Sequence, residues 1–332
     1  MAYDGKLLRL AQQEFEKDKA AREAELQSRR ERVFQRQPRL REIDGQLRST
    51  MSRIITGALR RGTDPTAAVA ALREENLSLQ REKAALLQRM GLPMDCLDEV
   101  PACALCGDSG YRGGNVCRCL RKYYAREQQK ELSRMLDLGN QSFDTFRLEW
   151  YPEQMMPGKP KTYRQHMEEK VLDTCKEFAM GFGKWLGNLL LFGPPGLGKT
   201  HLSAAIAREV SEKGYSVVYD TASHVFERFE AQKFGREDED AAADVERILN
   251  CDLLILDDLG TEMTTAFVQS ALYQIINTRL MEKKSTIIST NLRVNELAQR
   301  YSPQIASRLE GEYQLVPFVG EDIRKLKKQR SL

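Results

Sequence analysis

The chain has 332 residues, 30% of them charged, and a formal net charge of +3. Its mean hydropathy is −0.52. That length holds one large domain and a smaller one. No apolar run approaches the ~20 residues a bilayer span needs, and the start Met1-Ala2-Tyr3-Asp4-Gly5-Lys6 lacks the apolar centre of a secretion signal. A soluble protein with a cytoplasmic address and no membrane contact is expected.

Residues 1–92 are rich in Arg, Lys, Glu and Gln. Leu40, Ile43, Leu47 and Ile54 fall on one stripe with a period of about 3.5. A second stripe runs Val69, Leu72, Leu79, Leu86. Between them lies Gly62-Thr63-Asp64-Pro65, where Asp64 suits an N-cap and Pro65 the first helical position. The pattern predicts two long helices folded back as an antiparallel hairpin with solvated Arg-rich outer faces. Gly91-Leu92-Pro93 ends the second.

Four of the seven cysteines crowd into 17 residues, and an odd total speaks against a disulfide framework. Cys103-x-x-Cys106 and Cys117-x-Cys119 flank Gly107, Gly110, Gly113 and Gly114. Four thiolates from two tight loops make a closed tetrahedral site, which favours structural Zn²⁺. No open coordination position follows, so no catalysis is assigned to this metal. A redox or iron–sulfur site and unliganded thiols are the alternatives. Cys175 and Cys251 read as buried thiols, and Cys96 either as another or as a spare ligand.

Helical sequence resumes over about Arg121–Leu138, and Tyr151 to Pro160 reads as a loop. From Lys161 helices and strands alternate, as a parallel α/β sheet requires. A helix is predicted over Thr162–Phe182, a strand over Asn188–Phe192, and a helix to Lys213 closed by Gly214. Further strands are predicted at Ser216–Tyr219, Asp252–Asp257, Thr286–Thr290 and Gln314–Val316. The acidic run Glu237-Asp238-Glu239-Asp240 reads as a solvated loop.

Within that alternation, Gly193-Pro194-Pro195-Gly196-Leu197-Gly198-Lys199-Thr200 follows an apolar run and opens a helix. This is G-x-x-x-x-G-K-[ST] in its strand–loop–helix context, and it implies a nucleoside triphosphate site. Its backbone N–H groups would cradle the phosphates, Lys199 would reach the β/γ-phosphates and Thr200 would ligate Mg²⁺. The cradle runs to His201, which reads as a packing residue on the same helix.

Leu253-Leu254-Ile255-Leu256-Asp257-Asp258 is an apolar strand tipped with two acids. Asp257 would hold Mg²⁺ directly or through water, and Asp258, a shorter arm than the usual Glu, would orient the attacking water. Thr286 to Asn291 reads as a buried strand delivering Asn291 to the γ-phosphate. An amide suits that task because it both donates and accepts. The alternative is an Asn that caps the helix over Val294–Gln299. Beyond lie Arg300 and Arg308. Arg308 is favoured as a finger reaching a neighbouring subunit's γ-phosphate, against an ordinary surface ion pair.

Gly193–Thr200, Leu253–Asp258, Ser289–Asn291 and Ser307–Arg308 stand in the order of an AAA+ ATPase. With Ser142-Phe143-Asp144-Thr145-Phe146, Asp257-Asp258-Leu259-Gly260-Thr261-Glu262 and Gly320-Glu321-Asp322-Ile323-Arg324, the chain resembles the DnaC/DnaI group of replicative helicase loaders, primosomal proteins of phage and Gram-positive type. The resemblance spans roughly residues 100–330. It implies an α/β AAA+ P-loop parallel sheet lacking a full helical lid, preceded by a helical and zinc-binding N-terminal domain. Residues 1–135 would bind the partner, and 136–332 would bind ATP and single-stranded DNA.

The implied activity is slow, assembly-dependent ATP hydrolysis. The implied partners are a hexameric replicative DNA helicase, single-stranded DNA and further copies of the chain. Without a lid, adenine selection falls to a segment near Phe143–Tyr151, and the basic tail Arg324–Arg330 is a source of DNA phosphate contacts. Two other readings stand beside the loader: a transposition helper ATPase of the IstB kind, and a zinc adaptor whose nucleotide site is a switch with little turnover.

Overall fold

The computed structural model describes residues 3–58, 65–136, 141–184, 187–235 and 239–330. The chain divides into two compact units, Glu14–Cys117 and Met1–Gln13 with Arg118–Leu332. The expected boundary lay at 135/136, and the physical reason for the difference is helix α4, described below.

The smaller unit is built from α1 (Gly5–Arg36) from Glu14 onward, α2 (Pro38–Ala58), α3 (Pro65–Arg89) and a two-stranded hairpin, β1 (Tyr111–Arg112) with β2 (Asn115–Val116). Helices α2 and α3 form the expected antiparallel hairpin. Arg39, at the start of α2, donates from Nε and Nη2 to the Glu82 carboxylate late in α3, at 2.8 and 3.0 Å. Leu40 of the first stripe is buried with Val33, Leu87, Cys96 and Leu97. Cys96 is thus a core thiol rather than a spare ligand. Two helices were expected and three are present: Pro38, which cannot donate its own N–H, separates α1 from α2 at Gln37. Gly62, Thr63 and Asp64 and the side chains of Ile54 and Val69 lie outside the described residues.

In the larger unit α4 (Arg118–Leu136) leads to a helical run of α5 (Tyr163–His166), a π-turn (Met167–Leu172) and α6 (Asp173–Gly181). Then β3 (Leu189–Phe192), α7 (Lys199–Glu212), β4 (Val217–Thr221), α8 (Ala222–Phe234), α9 (Glu239–Asn250) and β5 (Leu253–Leu259) follow. The chain continues through α10 (Ala266–Met281), β6 (Ser285–Thr290), α11 (Val294–Arg300), α12 (Pro303–Glu312), β7 (Gln314–Pro317) and α13 (Ile323–Arg330). All five predicted core strands are present. They pair in parallel in the order β4-β5-β6-β3-β7.

Period-2 alternation splits the strands between two apolar layers, as a parallel sheet buried on both faces requires. Leu189, Leu191, Val217, Tyr219, Leu253 and Ile255 face α7 and the helical run before β3. Leu190, Val218, Leu254, Leu256 and Ile288 face α8, α9 and α10. Of the acidic run read as a loop, Glu239 and Asp240 instead open α9. Glu237 and Asp238 lie outside the described residues.

Helix α4 belongs with the sheet because Gln128, 1% exposed, fills three bonds there. Its amide nitrogen donates to Ser211 Oγ at 2.8 Å and Tyr215 O at 2.9 Å, and its Oε1 accepts from the Val217 N–H at 3.0 Å. On the far layer Arg279, also 1% exposed, donates to the carbonyls of Ile248, Leu249 and Cys251 where α9 ends, and to Ser285 O and Thr286 Oγ1. A buried cation there compensates the negative end of the helix dipole. Cys175 and Cys251 are buried, and burial pushes the Cys175 thiol up to about 12. After β7 comes α13, eight residues long. Among the described residues no helix is long and apolar enough to cross a membrane.

Candidate functional site

Because β6 lies between β3 and β5, the loop after β3 and the ends of β5 and β6 open onto one cavity of about 390 Å³. The sequence places Gly193–Thr200, Asp257–Asp258 and Asn291 at those three strand ends. Pro195, Gly196, Gly198, Lys199, Thr200, His201, Asp258 and Asn291 line the cavity. Gly193 and Pro194 do not line it but offer their carbonyls to Lys199, and Leu197 is buried in the core.

Three glycines of the loop are required on steric grounds: at Gly193, φ +142, a Cβ would meet the Phe318 carbonyl oxygen at 2.3 Å. Gly196 has φ +78, and a Cβ there would meet Asp322 Oδ1 at 1.9 Å; Gly198, which caps α7 at φ +87, would meet Phe146 at 2.8 Å. Tyr151 fixes the loop from below, its hydroxyl donating to Leu197 O at 2.8 Å.

Lys199 Nζ donates to Asn291 Oδ1 at 2.7 Å and to Gly193 O and Pro194 O at 2.8 and 2.9 Å. Burial brings its ammonium down to about 8, against the opposing pull of Asp258 and Asp257. Asp258 is raised by burial and then by the neighbouring Asp257. Asn291 therefore faces the site and does not cap the following helix; the residue at that N-cap is Arg293.

Asp257 departs from the simplest expectation. It does not belong to the cavity lining but is buried, 3% exposed. Its Oδ2 accepts from Tyr219 Oη at 2.9 Å and its Oδ1 from Ser289 Oγ. Each oxygen keeps a further lone pair, so the carboxylate is chemically suited to Mg²⁺, as is the Thr200 hydroxyl. His201 both lines the cavity and packs, as expected, with its ring edge-on to Phe146 at 5.5 Å and Nε2 2.9 Å from Ser142 O.

The sequence did not place the cations of the basic tail at this cavity. Arg324 and Lys327 of α13 line the cavity with Arg147 and Trp150, and Lys327 lies over the Trp150 ring at 5.8 Å. The stretch read as a DNA-binding tail thus turns two cations toward the phosphate loop. Ile323 N–H bonds Gly196 O at 3.1 Å, which ties α13 to that loop. Arg147 and Trp150 fall in the segment singled out for adenine selection.

Arg308 does not line this cavity. Its guanidinium lies over the Tyr273 ring at 4.8 Å and donates to Tyr273 Oη and Asn277 Oδ1 at 3.0 and 3.3 Å. Arg300 donates to Glu262 O at 2.6 Å.

The four cysteine sulfurs lie within 4.8 Å of one another, and Cys103 Sγ and Cys117 Sγ are 3.8 Å apart. Thiolates about 2.3 Å from a tetrahedral metal stand about 3.8 Å apart. The donor set of Cys103, Cys106, Cys117 and Cys119 fits such a site. Asp108, at φ +57, secures the first loop by accepting from Cys103 N and Ala102 N at 2.8 and 2.9 Å.

One surface feature was invisible in the sequence. Phe234, 66% exposed, packs against Phe267 at 5.7 Å between ring centroids. Lys233 Nζ lies over both rings, at 5.6 and 5.3 Å.

A parallel sheet with this strand order, a P-loop on one strand and paired acids on another defines an AAA+ P-loop ATPase. Residues 163–331 match the family described as IstB-like ATP binding protein. The chain belongs to that family.

The replicative helicase loader DnaC of Escherichia coli K12 is 27% identical over 153 residues, 45% of this chain and 61% of that protein. The DnaC of Buchnera aphidicola subsp. Baizongia pistaciae is 26% identical over 141 residues, 42% and 57% of the two chains. A putative insertion sequence ATP-binding protein of Sinorhizobium fredii is 36% identical over 110 residues, 32% and 36% of the two. The match thus spans less than two thirds of these relatives. Among solved structures, the DnaC helicase loader aligns at TM-score 0.45 with 24% identity, covering 55% of this chain and 99% of that one. DnaI aligns at 0.43 with 22% identity, covering 57% and 93%.

Proposed function

We propose that this protein is an ATP-dependent loader of a replicative DNA helicase onto single-stranded DNA. The observation that carries the reading is the module built in front of the ATPase core: a helical hairpin and a four-thiolate cluster with no catalytic geometry of their own. Such a module suits a protein partner. Cys103, Cys106, Cys117 and Cys119 would hold Zn²⁺ as a structural tie.

In the core, ATP would bind with its phosphates against Gly193–His201, where Lys199 exchanges Asn291 and two carbonyls for phosphate oxygens. Thr200 and Asp257 would hold Mg²⁺, which when bound neutralises charge on the β- and γ-phosphates. Asp258 orients the attacking water, and Asn291, released from Lys199, can donate to the γ-phosphate. Arg324 and Lys327 add positive charge at the cavity rim. Arg308, outside its own subunit's cavity, would serve a neighbouring copy, so turnover would depend on assembly.

The Phe234–Phe267 pair with Lys233 supports single-stranded DNA contact, since exposed rings beside a cation can stack bases whatever their sequence. Phe234→Ala is expected to weaken single-strand binding about 10-fold or more, and unchanged affinity would remove that surface from the reading.

The deciding experiment is co-purification of the full chain with a purified hexameric helicase and, in parallel, with an insertion-sequence transposase, with and without ATP. Nucleotide-dependent capture of the helicase supports the loader. Capture of the transposase alone supports the second reading, a transposition helper, which the 36% identity to an insertion sequence ATP-binding protein favours.

A further inference from the structure

The two acids of β5 are not on a regular strand. Pairing with β6 runs in step from Leu253↔Ser285 to Leu256↔Ile288 and resumes only at Leu259↔Thr290. Leu256 and Leu259, three positions apart, are buried in the same apolar layer. In an unbroken strand they would face opposite ways. One extra residue has therefore been let into β5 as a bulge. Asp258 carries the anomaly in its backbone, at φ +55. Bulges of this kind re-aim side chains beside active sites.

Two hydroxyls hold this arrangement. Ser289 Oγ accepts the Asp258 N–H at 3.0 Å, in place of the ladder carbonyl that the bulge has moved away, and donates to Asp257 Oδ1. Tyr219, on the other neighbouring strand, donates to Asp257 Oδ2 at 2.9 Å. Tyr219, Asp257 and Ser289 are all buried, so no water competes for these bonds. The carboxylate is gripped at both oxygens, and the amide of the next residue is tied to the same grip.

We propose that Tyr219 and Ser289 are positioning residues for the nucleotide site: together they fix the orientation of Asp257 and lock the bulge that turns the short Asp258 carboxylate into the cavity. A glutamate has an extra methylene with which to reach a water. Here the backbone supplies the reach, and the serine hydroxyl holds the backbone. Neither residue touches the nucleotide cavity. The proposal rests on the reading of that cavity as an ATP·Mg²⁺ site.

The test uses the full-length protein and a fluorescent ATP analogue. Binding is titrated in EDTA and then across a magnesium series, and steady-state hydrolysis is followed in parallel. Tyr219→Phe and Ser289→Ala are expected to keep nucleotide affinity in EDTA within about twofold. Each raises the magnesium midpoint about 10-fold, the usual scale for losing a hydrogen bond to a metal-holding group. Ser289→Ala also lowers kcat about 10-fold at unchanged KM, because it alone frees the Asp258 amide, and Ser289→Thr restores both readouts.

Lys199→Ala separates the two levels. If it binds nucleotide as the parent does, the site reading itself fails. If it loses binding while Tyr219→Phe and Ser289→Ala keep the parental magnesium midpoint and kcat, the positioning roles are overturned. Tyr219→Phe removes a single oxygen and keeps the ring, so it decides the matter even where Ser289→Ala impairs folding.

Discussion

Gly196→Ala tests whether the segment after the last strand is part of the phosphate site. The alanine Cβ would stand 1.9 Å from Asp322 Oδ1 and 2.4 Å from Asp322 Cγ, at a backbone φ of +78. A left-handed alanine costs about 1–2 kcal/mol. The clash is relieved by swinging Asp322 away, but its Oδ1 accepts the Arg324 N–H at 2.9 Å and caps α13. Losing that cap costs about 1 kcal/mol. The sum is about 2–3 kcal/mol, or roughly 4–12 °C in Tm for a unit of this size. Because α13 carries Arg324 and Lys327 to the cavity rim, nucleotide affinity should fall about 10-fold, the equivalent of one charge-assisted bond. Thermal scans and nucleotide titrations read both quantities. The decisive comparison adds Asp322→Ala. That change alone loses the cap, so the double variant should be no less stable than Gly196→Ala. If the two penalties simply add, the contact between Gly196 and Asp322 is not what Gly196 protects, and the reasoning fails.

Other outcomes follow from the same contacts. The Lys199 ammonium, brought to about 8 by burial, must be charged to hold phosphate, and phosphate raises its pKa in the complex. ATP affinity therefore falls as pH rises past about 8, by up to about tenfold per unit, whereas Lys199→Arg shows no such fall. A flat wild-type profile between pH 7 and 9.5 contradicts this. Gln128→Leu removes three buried hydrogen bonds worth about 1 kcal/mol each, so the urea midpoint should drop by the equivalent of about 3 kcal/mol; a loss under about 1 kcal/mol would mean α4 is held elsewhere. Atomic spectroscopy of the parent protein should detect zinc, and Cys106→Ser should abolish it and disrupt partner docking, with the nucleotide titration unchanged. Full docking by the zinc-free protein would deny that module its role.

What could be read in advance was what local pattern encodes. Five apolar runs bounded by turn residues gave the five strands, and glycine spacing gave the phosphate loop together with its helix. Residues whose roles arise from distant juxtaposition were not legible. Phe234 and Phe267 are ordinary apolar positions until α8 and α10 bring their rings together. Tyr219 and Ser289 are inconspicuous members of buried strands until the sheet order sets them on either side of Asp257. Arg324 and Lys327 read as a basic tail because composition carries no information about where a short helix folds back. Helix α1 did not stand out as a separate element, since its charged sequence has no sustained apolar stripe to mark its limits. The bulge at Asp258 leaves no trace in residue type, because aspartate tolerates positive φ without demanding it.

Each rim of the sheet is blocked at one position. On one, the Gln128 amide stands where a sixth strand would have offered its peptide group to β4. On the other, Pro317 of β7 has no N–H to give, and its carbonyl is engaged by His166 at 2.9 Å. A rim position held by a side chain, or lacking its N–H, is withdrawn from pairing with a foreign strand. Side-chain chemistry thereby marks a fixed point on each margin, where bare backbone pairing would leave the stagger free to slip.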